Sequence, residues 1–279
     1  MTSTVMFLPL SRGCGPRGPR RARRAFAAVA LTAAALVSAC SSNSSTSTDT
    51  SSGGALSGSI TVLAAASLQG TFTALGTSFE ATHPGTKVTF SFGASSTLAT
   101  QITNKAPADV FASASAATMD TVVSTKLADN ATTFAKNTMT LVVPPANPAQ
   151  ITKLADLTKP GVKLVLCAEA VPCGLTAKKV LAKANLSVTP VSLEADVKAT
   201  LTKVELGEAD AGIVYVTDAL AAGTKVITIT IPSDVNASTS YPIAVLTGSA
   251  NSALAQAFVS YVLGADGTKA FSAAGFASP

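Results

Sequence analysis

The sequence predicts an α/β protein built from βαβ units, and three observations carry that reading. Short apolar or alternating runs of strand length recur between residues 59 and 246, separated by stretches with helical spacing; that alternation produces parallel sheets. About 220 residues follow a low-complexity stretch at 41–58, enough for a sizeable core as one large domain or two lobes. Serines stand just after two of the strands, where helices begin and where α/β sheets gather their ligands.

Taken in order, Ser59–Ala64 (SITVLA) reads as a buried strand. Leu68–His83 has helical spacing, with Phe72, Leu75 and Phe79 on one face. Lys87–Phe92 is a strand, Ser96–Asn104 a helix and Ala108–Ser113 a strand. Thr138–Val143 and Lys163–Cys167 are strands, followed by helices over Gly174–Ala184 and Glu194–Glu205. Strands at Ala211–Tyr215, Lys225–Ile231 and Tyr241–Leu246 precede a closing helix at Ala253–Leu263. Pro144-Pro145 and the region Asn236–Tyr241 read as the places where the chain changes lobe. The expected division is 59–136 with 244–279 in lobe 1, against 137–243 in lobe 2.

The charge is unevenly placed. The formal net charge is +5, but six arginines lie before residue 25, and residues 1–39 contain no Asp, Glu or Lys. From Cys40 onward, 14 lysines and no arginine face 15 acidic residues. No basic patch remains to neutralise phosphates, which excludes a nucleic-acid partner. The basic start, the alanine-rich run Ala25–Ala39 and the small residues before Cys40 form a secretory signal. The apolar run is shorter than the ~20 residues a membrane span needs. Leu36-Val37-Ser38-Ala39-Cys40 resembles the lipobox of bacterial lipoproteins, which implies cleavage before Cys40, lipidation of that cysteine and anchoring to the outer face of the cytoplasmic membrane. Arg23-Arg24-Ala25-Phe26 resembles a twin-arginine signal, so the export route stays open. The Ser/Thr/Gly-rich segment at 41–58 would then be a flexible tether. Cys14 leaves with the leader. Cys167 and Cys173 remain in a compartment that permits disulfides; a bridge is expected, with two buried free thiols as the alternative.

Catalytic motifs are missing. The single histidine, His83, sits in a Thr-His-Pro-Gly turn. No GxSxG, HExxH or P-loop occurs, and two cysteines with one histidine give no zinc spacing. Asp109 and Asp196 read as structural carboxylates. The chain is therefore expected not to be an enzyme and to need no cofactor and no free metal cation.

What recurs is a strand followed by small hydroxyl residues at a helix start: Val62-Leu63-Ala64-Ala65-Ala66-Ser67-Leu68 and Phe90-Ser91-Phe92-Gly93-Ala94-Ser95-Ser96-Thr97-Leu98. A serine there can cap the helix, worth about 1 kcal/mol. It can also belong to an anion site, because first-turn amides lack internal partners and the helix dipole favours negative charge. Without arginine the domain has no bidentate fork for a carboxylate or phosphate. A fully ionised dianion can instead be held by hydroxyls and backbone N–H groups.

These motifs, with Ala106-Pro107-Ala108-Asp109-Val110-Phe111-Ala112-Ser113-Ala114, Val171-Pro172-Cys173-Gly174, Asp196-Val197-Lys198, Gly212-Ile213-Val214-Tyr215 and Tyr241-Pro242-Ile243-Ala244-Val245, resemble the periplasmic molybdate-binding proteins of ABC transporters. The resemblance runs in order through residues 59–279. It implies a two-lobed periplasmic-binding-protein fold of type II, each lobe a mixed sheet flanked by helices, with the ligand in the interlobe cleft. It also implies molybdate or tungstate as the ligand, a membrane permease as partner and a monomeric receptor. By the same resemblance Ser67 and Ser95 donate through hydroxyl and amide, Cys173 and Val197 through backbone N–H, and Tyr215 through its phenol. Cys173 departs from the alanine of the best-known members, which a backbone donor tolerates. Rival readings are a receptor for another tetrahedral oxyanion such as sulfate, an iron receptor of the same fold, an anchored cell-surface enzyme and an adhesion lipoprotein.

Overall fold

The computed structural model describes residues 56–279. The leader, Cys40 and the tether up to residue 55 lie outside the described residues. The strands are β1 (Gly58–Ala65), β2 (Thr86–Gly93), β3 (Val110–Ala112), β4 (Thr132–Val143), β5 (Leu164–Cys167), β6 (Ser192–Glu194), β7 (Ala211–Tyr215), β8 (Ile227–Ile229) and β9 (Ser238–Val245). The helices are α1 (Gln69–Thr82), α2 (Ser95–Thr103), α3 (Ala116–Ser124), α4 (Pro172–Lys183), α5 (Val197–Glu205), α6 (Val216–Ala222), α7 (Ser252–Leu263) and α8 (Ala265–Ala273).

The sheet runs β2-β1-β3-β9-β4-β7-β5-β6, with β8 on β4. Its two halves follow one plan. β1 pairs in parallel with β2 and β3, and β9 returns antiparallel beside β3. β5 pairs in parallel with β6 and β7, and β4 returns antiparallel beside β7. Each half thus has strand order second, first, third, return. The return strand of each half comes from chain that is crossing between lobes. The order reverses beside the first strand, and crevices at such reversals, at the carboxyl ends of the strands, are where open α/β sheets bind ligands.

Buried side chains separate with the two halves. Ile60, Phe72, Phe79, Phe134, Tyr241 and Phe258 share the core of the first half; Met139, Leu141, Val165, Val197, Ile213 and Tyr215 share that of the second. Phe72 is fully buried and packs against the rings of Phe90, Phe134, Phe258 and Phe271 at centroid distances of 5.9–6.3 Å. Truncating such a ring to alanine costs about 3–5 kcal/mol.

At one of the two expected lobe junctions the structure differs from the sequence reading; the crossing on β9 lies within the expected Asn236–Tyr241 region. Pro144-Pro145 is not a lobe junction. β4 is one 12-residue strand whose Thr132–Thr138 portion pairs with β9 and whose Met139–Val143 portion pairs with β7 and β8. The chain therefore crosses inside β4, between Ala135 and Met139. Return crossing on β9 falls between Ala237 and Tyr241, because Tyr241 and Ile243 pack in the first core; that is a few residues before 243. The helix expected from Glu194 begins at Val197, because the Asp196 carboxylate accepts the Ala199 N–H at 3.0 Å and caps it. Residues before it form β6, an exposed edge strand too short for a periodicity signal.

Candidate functional site

Six strand-to-helix turns meet at one small cavity. It is lined by Ala65–Ser67 after β1, Gly93–Ser95 after β2, Val171–Cys173 at the start of α4, Asp196–Val197 at the start of α5, and Tyr215 at the end of β7, with Ala114 after β3. The cavity offers about 20 Å³. Drug-sized ligands occupy about 300–1,000 Å³, so this space suits a single small ion. All five residues expected at the site, Ser67, Ser95, Cys173, Val197 and Tyr215, lie on this lining. Ala66 and Ala94, from the first half, pack into the core of the second, so the walls of the cavity come from both.

Neither serine caps its helix. Ser67 lies inside a 3-10 turn (Ala66–Leu68) that leads into α1, and Ser95 is the first residue of α2; neither helix start has a side-chain cap. The capping alternative is thereby removed, and the hydroxyls have other partners. Ser95 Oγ is buried and accepts the Ala114 N–H at 2.9 Å. Its own proton remains for donation. Ser67 Oγ is 2.9 Å from the Tyr241 hydroxyl.

The backbone donors are set by helix starts. Ser95, Cys173 and Val197 occupy the first turns of α2, α4 and α5, whose N–H groups have no acceptor within the helix. α4 begins at Pro172, a residue suited to the first helical position. The turn before α4 is held twice. A disulfide joins Cys167 at the end of β5 to Cys173, Cα–Cα 5.8 Å. A side chain at Gly174 would come within 2.0 Å of the Ala168 carbonyl oxygen, so only glycine permits this close backbone approach.

Tyr215 is the unusual group. It is 1% exposed, and its hydroxyl has no hydrogen-bond partner among the described residues. Thr176 stands beside the phenol; its own proton goes to the Pro172 carbonyl at 2.8 Å, and its oxygen lowers the phenol's value slightly without reaching hydrogen-bond geometry. Burial pushes the phenol far above its ordinary value, with the Asp218 charge adding to the effect, so the group stays a protonated donor. Leaving a buried hydroxyl unpaired costs about 1–3 kcal/mol; an acceptor entering the cavity recovers that loss.

Charged groups near the cavity are engaged with each other or with the backbone. Asp196 lines it but is occupied in capping α5. Lys198 Nζ lies 2.8 Å from Asp218 Oδ1, and Asp218 is fully buried. Burial pushes the Asp218 carboxyl up, against the lowering pull of Lys198. Asp109 ties β1 to the loop after β9 through the Thr61 N–H and the Ser249 hydroxyl, so it serves structure. His83 stacks on Phe79 in its turn. No group of three or more potential metal ligands occurs among the described residues.

Sequence reasoning missed the layer behind the donors: Asn137, Thr217, Asp218 and Tyr241. Asn137, Thr217 and Asp218 sit on β4 and α6 positions with no motif of their own; Tyr241 opens the Tyr241-Pro242-Ile243-Ala244-Val245 motif, which gives its hydroxyl no role.

The chain matches the family described as bacterial extracellular solute-binding protein over residues 60–277. It is 46% identical over 222 residues to the molybdate-binding protein ModA of Mycobacterium bovis, covering 79% of this chain and 85% of that one. It is 38% identical over 239 residues to ModA of Escherichia coli, covering 81% and 92%. This chain belongs to the molybdate-binding family of bacterial solute-binding proteins. Family members of this kind are solute-binding proteins and not enzymes. The periplasmic molybdate-binding protein of Azotobacter vinelandii superposes with a TM-score of 0.70 at 21% identity, covering 79% of this chain and 99% of that one. The sulfate-binding protein SubI of Mycobacterium tuberculosis gives 0.70 at 22%, covering 78% and 86%. These two share the type II periplasmic-binding-protein fold with it. No described helix is long and apolar enough to cross a membrane.

Proposed function

We propose that this protein is the extracytoplasmic receptor that captures molybdate, and tungstate with it, and delivers the anion to an ABC importer. Ser67 and Ser95 donate through hydroxyl and amide, Cys173 and Val197 through backbone N–H, and Tyr215 through its phenol. Cys40 carries the lipid that keeps the monomeric receptor beside its permease. The observation that carries the reading is the buried, unpartnered Tyr215 hydroxyl in a small cavity ringed by helix starts. The 46% identity to a molybdate-binding protein supports the choice of ion.

Size is the selecting variable. Tungstate matches molybdate in charge and radius, whereas sulfate is smaller and leaves some donors out of reach. Calorimetry and thermal shift with an oxyanion panel test this. Molybdate and tungstate should bind tightly, raising stability by about 4 kcal/mol at a thousand-fold excess over Kd; sulfate should bind weakly. Ser67→Ala together with Ser95→Ala should remove most of the affinity. Equal binding of sulfate would overturn the size argument, and intact binding by the double variant would move the site elsewhere.

A further inference from the structure

We infer that Tyr241, held by Asn137, is a positioning residue that fixes the direction of the Ser67 hydroxyl, so that Ser67 offers its proton to the cavity. The inference rests on the reading that Ser67 touches the anion. It extends that reading to two residues that do not line the cavity.

The argument is one of proton order. A serine hydroxyl has one proton. If Ser67 donates to Tyr241, that proton is used up and the anion meets only lone pairs. If Tyr241 donates to Ser67, the serine proton is free for the anion. The 2.9 Å separation of the two oxygens allows either direction; the next residue decides. Asn137 Oδ1 accepts the Thr138 N–H at 3.0 Å, which fixes the amide so that Nδ2 faces the other way. Nδ2 donates to Thr217 Oγ1 at 2.8 Å and approaches the Tyr241 oxygen at 3.5 Å. Asn137 is 2% exposed and Tyr241 fully buried, so no bulk water can supply the missing partner.

Asn137 Nδ2 can only donate, so the described residues offer the Tyr241 proton no acceptor other than Ser67 Oγ. The phenolic proton therefore goes to Ser67 Oγ, and the Ser67 proton turns away from Tyr241. Burial pushes the Tyr241 phenol well above its ordinary value, so that proton is present throughout the physiological range. Hydrogen-bond chains of this sense polarise in one direction, each donor strengthening the next. Asn137 lies on β4 and Tyr241 on β9, in the stretches where those strands cross between the two halves. The relay therefore begins at the crossing strands and ends on an anion donor.

A double-mutant cycle tests this, with molybdate affinity read by calorimetry and each ligand-free melting midpoint as a check on folding. Ser67→Ala should weaken binding by at least about 10-fold, as expected for a lost charge-assisted bond. Tyr241→Phe should weaken it by about 5- to 10-fold, the size of an ordinary hydrogen bond. In the Ser67→Ala background, Tyr241→Phe should have no further effect. A purely structural tyrosine would give losses that multiply; that result, or wild-type affinity in Tyr241→Phe, overturns the inference. Wild-type affinity in Ser67→Ala would instead remove the site reading on which it stands. Should Tyr241→Phe fail to melt cooperatively, Asn137→Leu takes its place in the cycle. It should cost about 3-fold with Ser67 present and nothing without it, since the relay's direction is then unset; a cost independent of Ser67 overturns the inference.

Discussion

Tyr215→Phe should move affinity and ligand-free stability in opposite directions. The Tyr215 hydroxyl is buried and unpartnered in the described structure, so ligand-free protein bears a desolvation cost of about 1–3 kcal/mol for it. Phenylalanine keeps the ring, including its edge-to-face packing on Tyr241 at 6.1 Å, and deletes only the oxygen. The ligand-free variant should melt at the wild-type temperature or a few degrees above it, given about 2–4 °C per kcal/mol for a domain of this size. With molybdate the sign reverses. A hydrogen bond to a charged group is worth about 1.5–3 kcal/mol, so Kd should rise roughly 10- to 150-fold. Differential scanning calorimetry without ligand, paired with titration calorimetry, reads both quantities. A variant that melts clearly lower and binds as well as wild type would refute the reasoning, because Tyr215 would then be a packing residue with an undetected partner.

Two further outcomes follow from the structure. Replacing Cys167 and Cys173 together with serine opens the short loop before α4 and should cost about 2 kcal/mol by loop entropy, with weaker molybdate binding because the Cys173 N–H sits on that loop; unchanged melting and unchanged Kd would remove any role for the bridge. Asp156→Asn should flatten the acid limb of the stability profile. Backbone donation from Thr152, with Lys159 beside it, holds the Asp156 carboxyl well below its ordinary value of 3.8. A depressed folded-state value contributes stability above the unfolded value that is lost as pH falls below it. The gap in melting midpoint between wild type and variant should therefore stay constant from pH 7 to about pH 5 and narrow progressively below the ordinary value of 3.8; a gap unchanged down to about pH 2.5 would sink the assignment.

The alternation of strands and helices was legible because strands such as Val62–Ala64 and Ala211–Tyr215 are buried on both faces and read as continuous apolar runs. The elements that were missed had weak local signals. α6 follows β7 without an intervening loop, so its apolar residues merge with the strand. α8 is mostly small and exposed, and its anchor is Phe271. The five expected donors were legible through motif order and converge as that order implied. The roles of Asn137 and of the Tyr241 hydroxyl were not, because they lie in contacts across 80 to 174 residues of chain, which no local pattern records.

A domain without arginine, as residues 40–279 are, can hold a dianion only if fixed dipoles replace mobile charge. The one lysine near the cavity, Lys198, is 2.8 Å from Asp218, so its charge is already engaged. Asp196 contributes a further negative charge at the lining, turned toward the amides of α5. What remains is the first turns of α2, α4 and α5 and the turn leading into α1. Each helix start presents about half a positive charge; four of them sum to roughly the charge of a dianion, with opposite sign. Because these dipoles are built into the backbone, they need no reorganisation when the ion arrives, and they offer donors only. Backbone donors of this kind give the hydroxyl of a protonated oxyanion no acceptor, so the helix starts favour the fully ionised form. The helix starts therefore do two things at once. They replace the arginine that residues 40–279 lack, and they favour an ion that carries no proton at neutral pH.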